Sequence, residues 1–534
     1  MRLVKAFEMQ EMDRFTIQEM GIAGIVLMEN AARGATHIFL EHFEPPRNAR
    51  VLFLCGGGNN GGDGYVMARC LQQKGLQVSV LVLCERQKIT GDALTNLNVL
   101  ERMGLDVQDV PGPEPWASCL SLLENADFIV DGILGTGLKS SVRGFYRQVI
   151  GDVNASLKPV MAIDIPSGLN ADTGAVMGAA IRADVTATFG FPKLGQLLFP
   201  GAGLVGRLIR VDIGIPGASA DRVSNQCRLT EIQDIREALP VEGPDIHKGA
   251  RGHLLLLAGS TGKTGAAVLA SLAALRAGAG LVTLGIPRSL NPILENKLTE
   301  PMTHPLPETE AGTLSLGAEQ EILKLLQGKN ALALGPGLST HEETVVLIRR
   351  IVSHCPLPIV IDADGLNALA GDRTSLHFGC EEVILTPHPG EMARLTGLSN
   401  SEVQADRIGL ASSFARDHGC HLVLKGARTV IAGPDGRIHV NPTGNRSLAS
   451  GGSGDVLTGL LGGLLARGLP PEKAAVCGVY LHGLSADYVA EKMGQVGMLA
   501  GDLLEAIPRL MAALSAGQWP LGAPPPEKDL YYPL

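Results

Sequence analysis

Aromatic residues are scarce: two tryptophans, six tyrosines and twelve phenylalanines among 534 residues. No basic stripe or aromatic-interleaved patch stands out, so the surface offers no evident platform for stacked nucleic-acid bases. Excess positive charge is missing as well. A net charge of -9 argues against broad affinity for phosphate backbones. It leaves small anionic ligands open, because backbone amides and a single lysine can bind them locally. The nine cysteines form no CxxC pair, and several sit inside apolar patterns, as buried free thiols of a reducing compartment would. No apolar run approaches the roughly 18 residues of a membrane-spanning helix. The opening MRLVKAFEMQEMDRF is acidic and helical in pattern rather than signal-like. Cytoplasm is the expected compartment, with neither membrane nor nucleic acid as partner.

What the chain has is length and glycine. It exceeds the size at which one hydrophobic core keeps growing, so two domains are expected. Its 67 glycines fall mainly between strand-like and helix-like segments. Arg50 to Cys55, Gln77 to Cys84, Phe128 to Leu134 and Pro159 to Ile165 read as buried strands, with a helix over Tyr65 to Lys74. Residues 1 to 35 read as one or two helices packed on their sheet. The segment Ile215 to Leu229 loses the period. The pattern then restarts with strand His253 to Leu257, helix Ala266 to Ala277 and strand Leu281 to Ile286. Further strands are expected at 331–334, 359–361, 383–385 and 422–424, then two apolar helices over 456–465 and 472–490. This repetition predicts parallel sheets with helices on both faces. The expected division is an α/β domain over 1–218, a linker over 219–228, a second α/β domain over 229–515 and an irregular, proline-rich tail over 516–534.

Two glycine-rich loops carry the chemistry. GGGNNGGDG, Gly56 to Gly64, follows the first strand directly. Its glycines would let the backbone turn tightly and aim N–H groups at an anion, with a purely structural turn as the alternative. Asn59, Asn60 and Asp63 can hydrogen-bond or coordinate a cation. It is not the GxGxxG dinucleotide fingerprint. Three more elements fall at predicted strand ends, where open parallel sheets bind ligands: DGILGTGLKSS (131–141), AIDIPSGLNADTG (162–174) and FGFPKLG (189–195). Asp131 and Asp164 each end an apolar strand, as loop caps or as functional charges. The sharper reading makes Asp164 a proton-transfer base with Lys139 as its cationic partner.

This run of motifs, with LMENAARG (27–34) ahead of it, resembles the NAD(P)H-hydrate epimerase family over about residues 5 to 215. The resemblance implies a Rossmann-like three-layer αβα domain that interconverts the R and S forms of hydrated NADH and NADPH. It places Asn59, Asn60, Gly61, Gly62 and Asp63 on the hydrate, then Gly135, Thr136, Gly137, Leu138, Lys139, Ser140, Ser141 and Asp164. Asn60, Asp131 and Ser167 would hold a potassium ion.

The second loop, GGSGDVLTG over 451–459, opens an apolar helical stretch. Its amides suit a transferred phosphoryl group, and Asp455 is either a base or a helix cap. The GKT within AGSTGKTGA (258–266) is a decoy, because a P-loop needs glycine where Leu257 stands. DADGLNAL (362–369), LTPHPGEMARL (385–395) and LKGARTVI (424–431) put polar residues just beyond apolar strands. Asp362 and Glu391 could influence a metal-nucleotide complex, His388 reads as a substrate contact or a core histidine, and Lys425 could neutralise phosphate or be merely solvated.

With TGNRSLASGGSGDVLTG and LGPGL (334–338), this half resembles the ADP/ATP-dependent NAD(P)H-hydrate dehydratase family, of ribokinase-like fold, over about residues 229 to 515. The resemblance places Lys425, Gly426, Ala427, Arg428, Thr429 and Gly454 on the adenine nucleotide, and Ala266, Gly337, His388 and Asp455 on the hydrate. It implies Mg2+ with ADP or ATP as phosphoryl donor, and its members are often oligomers, though no seam here marks a homo-oligomer. Arg446 and Ser447 replace a proline and glycine common in the family. Two rivals remain: an ordinary kinase of a vitamin alcohol or sugar, and a first domain that is a non-catalytic dinucleotide sensor or assembly module.

Overall fold

The computed structural model describes residues 1–224, 226–239, 243, 245–371, 376–526 and 531–532. Two compact units emerge, Arg2–Asn225 with Pro526–Leu534, and Gln226–Pro525 with Met1.

The first unit is built on seven strands: β1 (Arg50–Cys55), β2 (Gln77–Val82), β3 (Asp106–Asp109), β4 (Phe128–Gly132), β5 (Val160–Ile163), β6 (Val185–Phe189) and β7 (Arg207–Val211). They pair in parallel in the order 7-6-5-4-1-2-3. Period-two alternation sorts their side chains onto two faces. Val51, Phe53 and Cys55 of β1 join a core with helices α2 (Gly24–Phe43) and α3 (Asn59–Gln73), which follow α1 (Ala6–Gln18) in the chain. Leu52 and Leu54 join a second core with Trp116, Cys119 and Val149 of helices 113–125 and 144–156. A sheet buried on both faces in this way needs continuous apolar strands, which is what β1 supplies. The result is the expected Rossmann-like three-layer αβα arrangement.

The second unit has strands β8 (Cys227–Leu229), β9 (His253–Leu257), β10 (Leu281–Pro287), β11 (Met302–Leu306), β12 (Ala331–Leu334), β13 (Ile359–Ile361), β14 (Val383–Leu385), β15 (His421–Leu424), β16 (Val430–Ala432) and β17 (Ile438–Val440). Their order is 11-10-9-12-13-14-15-16-17-8. All neighbours are parallel except β15 with β16 and β16 with β17. Helix Ser453–Ala466 is apolar nearly all round and is buried between the sheet and helix Thr264–Arg276. Its glycines permit that burial: a Cβ on Gly459 would lie 2.0 Å from the Ala270 carbonyl oxygen. Gly459→Ala is therefore expected to destabilise this unit by about 1–3 kcal/mol, despite alanine's better helix propensity. A lowered midpoint for thermal loss of the second unit's activity would show it.

Several strands escaped the sequence reading. β3 is short and carries Asp at both ends, and β16 and β17 are three-residue pieces, so none shows a sustained period. The tail is not irregular throughout. A final strand, β18 (Tyr531–Tyr532), pairs in parallel with β7, covering backbone groups that would otherwise be an open sheet edge.

Candidate active sites

In the first sheet β1 sits between β2 and β4, so the chain runs to opposite sides from neighbouring strand ends. A crevice forms at such a switch point. The two loops there come together closely: the Gly56 amide donates to the Gly132 carbonyl at 3.0 Å, and a Cβ on Gly56 would meet the Ile133 carbonyl oxygen at 2.0 Å. Here the expected tight turn is corrected. The helix α3 begins at Asn59, and none of Gly56, Gly57, Gly58, Gly61, Gly62 or Gly64 has positive φ. The glycines serve close approach instead. A Cβ on Gly61 would strike the Gly56 carbonyl oxygen at 2.1 Å, and one on Gly62 the Met28 side chain at 2.7 Å. Gly58, Asn59 and Asn60, at the start of this helix where the first amides lack intrahelical acceptors, line the crevice.

A cavity of about 480 Å³ opens there, lined by Asn59, Asn60, Asp63, Gly135, Thr136, Gly137, Asp164 and residues of α1 and α2. Leu138, Lys139, Ser140 and Ser141 do not line it, and Lys139 is exposed. The cationic partner of Asp164 is Lys193, not Lys139. Lys193 is 1% exposed, and its Nζ donates to Asp164 Oδ1 at 2.5 Å, to the Phe189 carbonyl at 2.9 Å and to Thr188 Oγ1 at 3.2 Å. The reason is topological. Asp164 follows β5, and Lys193 lies in the loop after β6, its hydrogen-bonded neighbour, whereas Lys139 lies past the turn after β4. The Phe189 amide also donates to Asp164 Oδ1, at 3.1 Å, and Asp164 itself takes φ +61, outside the usual range for a side-chain-bearing residue. FGFPKLG contained this lysine, but nothing in its spacing distinguished it from Lys139.

Beneath the cavity Asp131 is fully buried and accepts from the Ser167 amide at 2.7 Å, Ser167 Oγ at 2.5 Å and the Ile133 amide at 3.2 Å. Burial pushes its carboxyl up to about 6 against those hydrogen bonds. Asn60 donates to the Leu134 carbonyl at 3.1 Å, while its Oδ1 is buried with no partner. An orphaned amide oxygen beside a buried carboxylate and a serine is an oxygen-only set suited to a hard monovalent cation.

In the second sheet the switch point lies between β9 and β12, and the residues expected from sequence gather at the same end of successive strands. The Gly259 amide donates to the Pro336 carbonyl at 2.8 Å, and Ser260 Oγ to the Gly337 carbonyl at 2.7 Å. A Cβ on Gly337 would lie 3.3 Å from that of Ala266. Beyond β13 and β15, Lys425 Nζ holds Asp362 Oδ1 at 2.7 Å and Glu391 Oε2 at 3.7 Å. Thr458 Oγ1 donates to Asp362 Oδ2 at 2.6 Å. Burial pushes Asp362 up, but Lys425 and these hydrogen bonds outweigh it and hold the carboxyl below its usual range. Burial likewise pulls Lys425 down, and Asp362 and Glu391 reverse the direction.

Asp455 stands in the first turn of Ser453–Ala466, entered through Gly452 at φ +93. Burial and then Asp362 push its carboxyl up to about 6, with Lys425 opposing. The cap expected as its alternative role is absent: no side chain caps this helix. Gly454 is next to the ion pair, its missing Cβ 3.7 Å from both Asp362 Oδ2 and Lys425 Nζ. His388 is neither core nor free. Half-exposed, it caps helix Pro389–Thr396, its Nδ1 accepting from the Gly390 amide at 3.0 Å, and its Nε2 lies 3.3 Å from Glu391 Oε1. Buried Arg407, unforeseen in the sequence, shapes the 425–429 loop by donating to the Ala427 carbonyl at 2.7 Å and the Leu424 carbonyl at 3.0 Å. Thr429 Oγ1 donates back to the Gly426 carbonyl at 3.0 Å, and Arg428 takes φ +57. Around the departure, Arg446–Leu448 forms a short 3-10 turn capped by Asn445, which accepts from the Ser447 amide at 3.0 Å.

Comparison with known proteins follows the same division. Residues 254–509 match the family model described as NAD(P)H-hydrate dehydratase, and residues 24–195 the model of the YjeF-related protein N-terminus. The bifunctional NAD(P)H-hydrate repair enzyme Nnr of Moorella thermoacetica is 45% identical over 515 residues, 96% of this chain and 97% of its own. The chain belongs to the bifunctional NAD(P)H-hydrate repair enzyme family. Its Escherichia coli member is 35% identical over 93% of this chain and 92% of its own. Among solved structures, the ADP/ATP-dependent NAD(P)H-hydrate dehydratase from Bacillus subtilis, co-crystallized with ATP/Mg2+, is 34% identical with a TM-score of 0.47. It covers 55% of this chain and all of that one. As a family member the chain is a two-activity enzyme, an isomerase and a lyase, with a Rossmann-like first unit and a ribokinase-like second unit. Among the described residues no helix is long and apolar enough to cross a membrane, and no group of three or more His, Cys, Asp or Glu could hold a metal ion.

Proposed function

We propose that the 480 Å³ cavity is the epimerase site, that the Asp362–Lys425–Asp455 cluster is the dehydratase site, and that both take hydrated NADH and NADPH. The observation that carries this reading is the pairing of each glycine-rich helix start with a buried carboxylate–lysine pair at the same end of its own sheet. The first unit brings R hydrate into equilibrium with S, and the second returns S to the reduced nucleotide.

In the second site the difficulty is hydroxide, a poor leaving group. The substrate hydroxyl attacks the terminal phosphoryl of ADP or ATP, brought as its Mg2+ complex. The new oxygen–phosphorus bond forms as the bridging bond to the nucleotide breaks, and Asp455 takes the hydroxyl proton. The open amides of Gly454 and Asp455 receive the charge of the transferred group, and Lys425 adds a cation 2.7 Å from Asp362. Phosphate then leaves with the carbon–oxygen electron pair, and loss of a proton from the adjacent ring carbon restores the double bond. Ala266, Gly337 and His388 are assigned to the hydrate, and residues 425–429 to the nucleotide.

In the first site Asp164 is the proton acceptor, held by Lys193. Asn60, Asp131 and Ser167 would hold potassium, which supplies a fixed positive charge beneath the nucleotide's phosphates. The compartment expected is the cytoplasm.

The test is incubation of the full chain with mixed R and S hydrates, Mg2+, K+ and either ADP or ATP, following NADH absorbance and both epimers. Consumption of both epimers with recovery of NADH is expected. Accumulation of a stable phosphoester would instead make the second unit an ordinary kinase, and consumption of S alone would leave the first unit without epimerase activity.

A further inference from the structure

Asp13 of α1 lines the epimerase cavity together with Asp164 and Lys193, yet it lies upstream of the residues that match the first family model. Its environment is the opposite of Asp164's. Asp164 is tied to a buried lysine, whereas Asp13 Oδ1 is buried with no hydrogen-bond partner. Two carboxyls on one cavity wall, one ion-paired and one bare, divide naturally into carboxylate and carboxylic acid. We propose that Asp13 is the general acid of epimerisation, delivering a proton to the ring hydroxyl while Asp164 acts as the base.

This rests on the epimerase reading of the cavity and assigns its missing half. The Asp13 proton forms an O–H bond with the hydroxyl oxygen. The carbon–oxygen bond breaks, its electron pair departs with water, and the lone pair of the neighbouring ring nitrogen fills the vacancy at carbon. A water molecule attacks the other face, re-forming the carbon–oxygen bond, and Asp164 takes its excess proton. Exchange with solvent returns Asp13 to the acid and Asp164 to the carboxylate, so atoms and charge balance over the cycle.

The charged groups facing Asp13 agree. Burial pushes its carboxyl up to about 6, with Lys193 opposing and Asp164 assisting. Asp63, on the same wall, is pushed up by burial, then by Asp164 and Asp13, with Lys193 opposing. Asp13 combines a place on the cavity wall with a buried carboxyl oxygen that no hydrogen bond holds.

The experiment measures conversion of purified R hydrate to S by the full chain without nucleotide, so that dehydration is silent. Wild type, Asp13→Asn and Asp13→Glu are compared across pH, and dehydration of S with nucleotide added checks the integrity of each preparation. For Asp13→Asn, kcat is expected to fall about 100-fold with KM within about twofold, and Asp13→Glu to recover part of the loss. Wild-type turnover should fall as pH rises past about 6, as the acid is lost, and Asp13→Asn should lack that limb. An unchanged kcat and pH profile in Asp13→Asn, a loss confined to KM, or no recovery in Asp13→Glu would each overturn the assignment. A wild-type chain that converts no R hydrate would remove the epimerase reading and this assignment with it, which is distinct from a defect confined to the variants.

Discussion

Asp455→Asn is expected to lower dehydration of the S hydrate about 1,000-fold, with nucleotide and hydrate binding little changed. The asparagine keeps the shape of the side chain and removes only its ability to take the hydroxyl proton. The surroundings make this more than the loss of a surface charge. Asp455 is pushed up to about 6 by burial and the nearby Asp362, while Lys425 keeps it from going further. A base must be ionised to work, so wild-type turnover should be full above that value and should decline as pH falls through about 6. The variant's residual rate should lose this acid limb. Stopped turnover followed by NADH absorbance between acid and neutral pH reads both effects. A variant within a few-fold of wild type would assign the proton to another group and leave Asp455 a bystander at the helix start.

Why the second site was readable in the sequence, and the first only in part, comes down to how far apart its working residues lie in the chain. Asp455, Gly454 and the glycines around them are contiguous, and one helix start determines their placement. Asp362 and Lys425 directly follow short apolar strands and His388 lies three residues past another, so a parallel sheet brings them to one end. The Asp364 carboxylate, by contrast, accepts from Lys263 at 3.0 Å and from the Ser339 amide at 2.8 Å. Those bonds join a helix start to two other segments of the chain, and no local pattern announces them. The same is true of Arg407, whose value lies in carbonyls some 17 to 20 positions away.

The glycines of 56–64 teach a related lesson. Their density signalled a constrained backbone, but density does not distinguish a positive-φ turn from a surface shaved flat for packing. Only the neighbours decide, and for Gly56 and Gly62 those neighbours, Ile133, Met28 and Ala93, lie outside the motif. Gly452, in the second loop, does need its glycine for the backbone, because its φ of +93 is one that side chains rarely adopt. Asp13 was invisible for the opposite reason. It sits on an amphipathic helix among Glu11, Arg14 and Glu19, where an acidic residue is ordinary, and only the cavity wall sets it apart.

Lys193→Met is expected to cut R-to-S conversion at least about 100-fold while leaving dehydration of S hydrate unchanged. Lys193 is almost wholly buried and touches Asp164 at 2.5 Å. Removing the ammonium leaves the Asp164 carboxylate without its cation, and breaking one side of a buried pair costs about 3–5 kcal/mol. Two losses are then mixed, local stability and proton transfer, and the double variant Asp164→Asn with Lys193→Met separates them. Replacing both charges by neutral groups removes the uncompensated carboxylate, so thermal stability should recover toward wild type while epimerisation stays lost. Lys139→Met supplies the contrast. Its side chain is exposed and off the cavity wall, so conversion should remain within about twofold of wild type, as for other surface changes away from a site. Chromatographic separation of the epimers over time measures all three. If Lys139→Met were the damaging change and Lys193→Met the silent one, the proton chemistry would belong to the loop after β4 and not to the buried pair.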